Sequence, residues 1–212
     1  MKDWKGNKKS VSSMLGMSTV WNPEQRAADD FYATDPVAVE VLIERLQSTD
    51  PIFRRGKPRI YECACGEGNI SKALESMGYE VISTDLVDRG YGISGIDFLK
   101  TNKLEDCAVI ITNPPYKYAN EFILHALELL PVGGEAIFLM NISYLSGKQR
   151  FKDIYSQGYL DCIYIFSNRI CCYKNNIPTG HSSPVNYAWF VFRKKDPAEP
   201  ILHTILDWLY IK

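Results

Sequence analysis

A chain of 212 residues, 46% hydrophobic and 23% charged, can close one sizeable core and lies outside the composition of disordered or fibrous proteins. No apolar run reaches the roughly 20 residues of a membrane span, and the opening MKDWKGNKKS is not followed by the apolar segment of a signal peptide, so a cytoplasmic protein without a membrane partner is expected. The formal net charge of -1 gives no overall attraction to nucleic acid, although Lys2, Lys5, Lys8 and Lys9 gather at the N-terminus.

Residues 1–30, rich in Ser, Lys, Asn and Gly, read as an irregular arm ahead of a domain over 31–195. Thr34 opens TDPVAVEVLIERL with a side-chain cap, an acid and a proline, and Val37, Val41 and Leu42 fit one face of the helix that follows. RIYECA is a short strand that ends in the glycine turn CGEGN and leads into the helix ISKALESMG. YEVISTD is a second strand closing on Asp85, and a glycine-rich loop brings the chain to a third candidate strand ending at Asp97. CAVIITN is nearly all apolar, as in a strand covered on both faces, and it runs straight into Asn113-Pro114-Pro115-Tyr116.

Helical spacing returns over Ala119 to Leu130, GGEAIFLMN is the next buried strand, and a helix near Lys148 to Gln157 precedes the strand LDCIYIF. A polar stretch then separates that strand from YAWFVFRK. The two are expected to pair antiparallel at one edge, because no helical pattern joins them. Residues 196–212 repeat apolar positions at Ile201, Ile205 and Leu209 and read as an amphipathic terminal helix. This alternation predicts an α/β fold of Rossmann-like type: a mainly parallel seven-stranded sheet with an antiparallel edge hairpin and helices on both faces. Ligands of such sheets sit beyond the carboxyl ends of the strands.

Gly66 and Gly68 permit positive φ where the first strand meets its helix, but the full dinucleotide fingerprint and the P-loop are both absent. Asp85 is placed to accept hydrogen bonds from ribose hydroxyls, and Asp97 beside Phe98 to take an adenine amino group and face. Glu62 and Glu67 flank the turn, so an anionic ligand is repelled and a cationic one tolerated; S-adenosylmethionine fits. At the proline corner, the side-chain oxygen of Asn113 and the carbonyl of Pro114 can hold the two hydrogens of a planar amine near attacking geometry. The prolines stiffen the turn, and Tyr116 offers a ring for the acceptor base. Cys63, Cys65, Cys107 and Cys162 lie in apolar stretches and no paired CxxC occurs, so no metal site is expected. The three histidines have no motif partner, and none is assigned as a general base.

These residues resemble the class I S-adenosylmethionine-dependent adenine-specific DNA methyltransferases with an NPPY motif. The likeness runs over about residues 31–194, with ECACGEG similar to motif I, NPPY to motif IV, and FYATDP to the segment that closes over the methionine end of the cofactor. It implies that Thr34 contacts the methionine carboxylate, Glu62 and Gly66 the methionine moiety, Asp85 the ribose, and Asp97 with Phe98 the adenine. Cys63, Ala64, Gly68, Leu86 and Asn113 complete the cofactor-binding candidates. The resemblance further implies a flipped base gripped by Tyr116 and Tyr173, phosphates held by basic residues such as Lys117, and DNA as the partner. The chain is short for that family, with no room for a separate recognition domain, and looks like phage or prophage modification enzymes. Sequence reading then falls to the arm, the 167–186 loop, a homodimer or a separate specificity subunit. Methylation of RNA or of a protein glutamine, and a non-catalytic binding module using the terminal helix, remain as alternatives.

Overall fold

The structure, a computed structural model, describes residues 32–170, 172–174, 185–196, 198, 200 and 204–211. The expected arm at 1–30 lies outside them. Among the described residues a seven-stranded sheet runs in the order β3 (Val81–Ser83), β2 (Ile60–Glu62), β4 (Val109–Thr112), β5 (Glu135–Asn141), β8 (Tyr187–Arg193), β6 (Leu160–Phe166), β9 (Ile205–Leu209). Only β8 runs against its neighbours, pairing antiparallel with both β5 and β6. A separate two-stranded ladder joins β1 (Tyr32–Thr34) to β7 (Cys172–Lys174).

The apolar strands are explained by cover on both faces. Val109 and Ile111 of β4, with Ile137 and Leu139 of β5, pack with α1 (Pro36–Thr49) and α3 (Asn69–Ser76). Ile110, Ala136, Phe138 and Met140 point the other way, to α4 (Ala119–Leu129) and to the crossover helix α5 (Lys148–Arg150), which continues as a π-helical turn over Phe151–Tyr155. Between α1 and α3, a four-residue helix α2 (Pro51–Arg54) is capped by Asp50. The indole N–H of Trp189 donates to the carbonyl of Ala38 at 2.9 Å, pinning α1 to the middle of the sheet. No helix among the described residues is long and apolar enough to cross a membrane.

The structure corrects the sequence reading at five places. The cap of α1 is Asp35, whose carboxylate accepts from Val37 N–H; Thr34 is extended in β1, where the ladder to β7 holds it. The buried face of α1 is Ala38, Val39, Leu42, Ile43 and Leu46, with Val37 turned outward. The segment ending at Asp97 is no strand: it makes a single bridge, Thr84 to Ile93, and three glycines at positive φ turn the chain away.

The C-terminal segment is not an amphipathic helix but contains β9, parallel to β6. Its short apolar run, rich in β-branched and aromatic residues, fits either period, and the open edge of β6 decides the outcome. Arg45 of α1 holds Asp207 of β9 in a 2.5 Å ion pair. The antiparallel pair β6 and β8 consequently lies inside the sheet, with β9 at the edge.

Candidate active site

Strand order reverses between β2 and β4, because the chain goes from β2 to β3 on one side and returns to β4 on the other. Carboxyl ends of strands flanking such a switch splay apart and leave a crevice. A cavity of about 690 Å³ opens there, within the range of small-molecule sites. It is lined by Glu62, Cys63 and Ala64 after β2, by Asp85 and Leu86 after β3, by Asp97 and Phe98, and by Asn113, Pro115 and Lys117 after β4. Thr34 reaches it from β1. Ten predicted cofactor or substrate residues and one of the two prolines therefore meet in one cavity.

Glu62 is almost wholly buried, and burial pushes its carboxyl up to about 8, opposed by the hydroxyl of Ser71, which donates to Oε2. Ser71 in turn pairs with Ser83 at 2.6 Å, tying α3 to β3 beneath the cavity. Asp85 accepts from Gly66 N–H at 2.8 Å through Oδ2 and from Val87 N–H at 2.9 Å through Oδ1. It thus staples the glycine turn to the end of β3 while its carboxylate faces the cavity. Asp97 caps a 3-10 turn over Phe98–Lys100 and pairs with Lys100 at 3.0 Å. Phe98 is held between Phe122, with centroids 5.0 Å apart, and His125 at 5.1 Å edge-on, so its ring is a fixed wall. Burial raises the Cys63 and Cys65 thiols, the latter to about 12; both are neutral packing groups at neutral pH.

Gly66 and Gly68 both adopt positive φ, 57° and 81°, but neither lines the cavity. At Gly68 the need for a missing side chain comes from inside the protein. A Cβ there would stand 2.3 Å from the ring of Tyr91, whose hydroxyl donates to Glu75. The glycine thus admits Tyr91 rather than a ligand.

Asn113 has a determined orientation. Its Nδ2 donates to the carbonyl of Tyr32 at 2.9 Å and to the hydroxyl of Thr34 at 3.3 Å. A carbonyl accepts only from the NH2 end of an amide, so the assignment follows from the partner, and Oδ1 is left as the acceptor end of a residue that lines the cavity. Pro114 is buried behind the cavity wall, and Pro115 accepts from Tyr118 N–H at 2.8 Å, closing the corner into a 3-10 turn over Tyr116–Tyr118.

Tyr116 does not line the cavity; its ring stacks on Tyr187 of β8, 6.4 Å away and inclined by 28°. Tyr118, not singled out from the sequence, does line it, with the Lys117 ammonium 5.0 Å from its ring centroid. Its i, i+4 spacing to Phe122, a second overlooked lining residue, was the available signal. Tyr32 and Ala33 also line the cavity, within the FYATDP segment expected to close over the cofactor, and Ile96 and Arg89 line it without having been foreseen. The backbone of Tyr173 pairs with Ala33, which carries β7 to the cavity rim; its side chain, like most of the 167–186 loop beyond Ile170, lies outside the described residues.

No family model matches the chain. No curated protein matches it in sequence. Solved structures do match in fold. A candidate class I S-adenosylmethionine-dependent methyltransferase from Listeria monocytogenes superposes with a TM-score of 0.60 at 16% identity, over 95% of this chain and 72% of that one. A candidate RNA methyltransferase from Pyrococcus horikoshii gives 0.57 at 17%, over 89% and 98%. The M protein of the type I restriction enzyme EcoKI gives 0.55 at 16%, over 97% and 52%, so the chain spans about half the length of that protein. The fold is that of the Rossmann-like class I methyltransferases.

Proposed function

We propose that the protein transfers the methyl group of S-adenosylmethionine to the exocyclic 6-amino group of adenine in DNA. The observation that carries this reading is the orientation of Asn113, whose amide donor end is committed to β1 and whose oxygen is left to accept, in a cavity that the residue lines together with Glu62, Asp85, Asp97 and Phe98. The donor set fits that cofactor. Glu62 is a buried acid suited to an ammonium group, Asp85 an acceptor for hydroxyls, and Phe98 a flat wall for adenine. Lys117 and Arg89 bring positive charge to the cavity lining. The DNA activity is also in keeping with the type I restriction protein among the structural relatives.

When bound, the cofactor supplies a sulfonium-activated methyl carbon. The work of the protein is orientation. Asn113 Oδ1 would accept one hydrogen of the amine, turning its lone pair out of conjugation with the ring and toward the carbon; Pro114, buried behind the wall, would act by stiffening the corner that holds Asn113. As that lone pair bonds the methyl carbon, the bond from carbon to sulfur would break with its electron pair left on a neutral thioether, and the surplus proton of the nitrogen, hydrogen-bonded to Asn113 Oδ1, would pass to water. The base must first leave the duplex, at a cost of a few kcal/mol. Tyr118, which lines the cavity, would offer the ring on which it stacks, in place of Tyr116, whose ring is packed on Tyr187.

Incubation with methyl-labelled cofactor and DNA, followed by nucleoside analysis, should place label on N6-methyladenine; label in no base ends the DNA reading. Asn113→Ala should lower turnover by about 100-fold or more, as for loss of one orienting donor or acceptor. Unchanged turnover in that variant would refute the assigned role. RNA is the second reading, favoured by the near-complete overlap with the Pyrococcus protein, and an RNA substrate run in parallel separates the two.

A further inference from the structure

The crossover after β5 carries a surface that the catalytic cavity does not use. Ile142–Leu145 forms a 3-10 turn at the carboxyl end of β5, and the helix begins at Lys148. Arg150, the most obvious phosphate ligand in the segment, is already engaged. Its Nε donates to Tyr144 O at 2.9 Å, its NH2 to Ser146 O, and its guanidinium lies 4.3 Å from the Tyr144 ring centroid. Gly147, at φ 149°, leaves room for that clamp, because a Cβ would meet the guanidinium at 2.8 Å and shift it. Tyr144 donates to Asn120 Oδ1, at the start of α4 just beyond the proline corner, and Tyr155 donates to Tyr144 O at 2.7 Å. The first turn of the crossover is therefore anchored to α4, the helix that follows the proline corner.

On the outside of this anchored turn, Phe151 leaves 63% of its surface in water, although it sits where the helix widens into π geometry. Lys148 and Lys152 flank it, both exposed and, among the described residues, neither held by a carboxylate. The one acid on the same turn, Asp153, is taken up by Gln149 at 2.6 Å. A large aromatic ring kept in solvent between two uncommitted ammonium groups matches a nucleic-acid strand, which offers base faces and phosphates at alternating positions.

We propose that Phe151, Lys148 and Lys152 form an accessory DNA-docking surface, the lysines holding phosphates beside the target adenine and Phe151 stacking on an exposed base. The proposal rests on the DNA-methyltransferase reading and gives it a place for the strand outside a cavity that carries the acids Glu62, Asp85 and Asp97.

Binding of a fluorescein-labelled duplex carrying one unpaired adenine, followed by anisotropy across a salt series on the full chain, tests it. Lys148→Gln with Lys152→Gln should lower the slope of log Kd against log salt by about 1.8, the share of two phosphate contacts. Phe151→Ala should weaken binding by about 5-fold or more with the slope kept, and Phe151→Trp should restore it. Cofactor affinity should stay at the wild-type value in all three, since none lines the cavity. Variants with wild-type Kd and slope, in a protein that binds and methylates DNA, overturn the docking surface alone. A wild-type chain that binds cofactor but no nucleic acid overturns the catalytic reading with it, and binding confined to an RNA hairpin overturns the assignment to DNA.

Discussion

If the proposed function holds, Glu62 makes the cavity a proton-linked site. Its carboxyl is sealed against the sheet and holds a proton up to about pH 8, although an unfolded glutamate releases it near 4.5. A cationic ligand beside Glu62 favours the ionised form, so binding must expel that proton at any pH below the shifted value. Observed affinity then follows the ionised fraction of the empty site. Between about pH 5.5 and 7.5 the expected gain is roughly 80-fold, with about 0.9 proton released per ligand near pH 7. The ligand's own amino group titrates at about 7.7 to 8.0, which sets the upper limit of the usable window. Calorimetric titration with S-adenosylmethionine in two buffers of different ionisation enthalpy measures both quantities. Glu62→Gln should bind more weakly and with a flat pH profile. Wild-type affinity that is level across this window, or binding without proton release, would refute the argument that Glu62 meets a positive charge.

Glu135, wholly buried at the opposite end of the sheet, is raised by burial and by Asp50 to about 8 despite Arg193 at 2.5 Å. Between about 4.5 and 8 the folded state then binds the extra proton, so stability falls as pH rises, by up to about 1.4 kcal/mol per pH unit for this group. Glu135→Gln should flatten that fall in urea denaturation at pH values on either side of the window, and an unchanged slope would contradict it. Gly68→Ala should lower thermal stability by an amount worth about 1 to 2 kcal/mol for the left-handed backbone plus the clash with Tyr91. In a Tyr91→Ala background the clash component should vanish, and a strictly additive double-mutant cycle would show that the ring is not the obstacle. Thr34→Val removes one of two acceptors for the Asn113 amide and should reduce kcat by up to about 10-fold with the melting temperature held; a kcat equal to wild type would show that Tyr32 O alone fixes the amide.

How much of this was legible in the sequence follows from where the determining contacts lie. The strands β4, β5, β6 and β8 were visible because each is buried on both faces and therefore reads as an unbroken apolar run, as in Val109–Thr112 and Tyr187–Arg193. The β9 segment failed because its pattern is degenerate: Ile205 and Leu209 are four apart, which suits one face of a helix as well as alternate positions of a strand. What chose between them was the unpaired edge of β6, far away in sequence. Asp97 was found for its chemistry but misplaced on a strand, since nothing local reveals that Gly90, Gly92 and Gly95 carry the chain off the sheet after one bridge. Gly68 was assigned to a ligand because glycine reports only that space is needed, and the occupant, Tyr91, lies 23 residues further along. Tyr116 was chosen because it closes the motif, while the structure turns its ring toward Tyr187 and leaves Tyr118 at the cavity.

The feature least available to a sequence reading is the coupling of the two halves of the site through Asn113. The amide has one donor end and one acceptor end, and its donor end is consumed by β1, the segment that also lines the cavity through Tyr32, Ala33 and Thr34. Strand β1 is held in place by pairing with β7, so the acceptor oxygen at the proline corner is aimed by a ladder formed some 140 residues apart in sequence. A ligand that presses on β1 from inside the cavity acts on the same hydrogen bonds that orient Oδ1. Amine orientation would then be best when the cofactor segment is seated, which gives the site a physical reason to order its two ligands: the partner that seats β1 first, and the amine that uses Asn113 second.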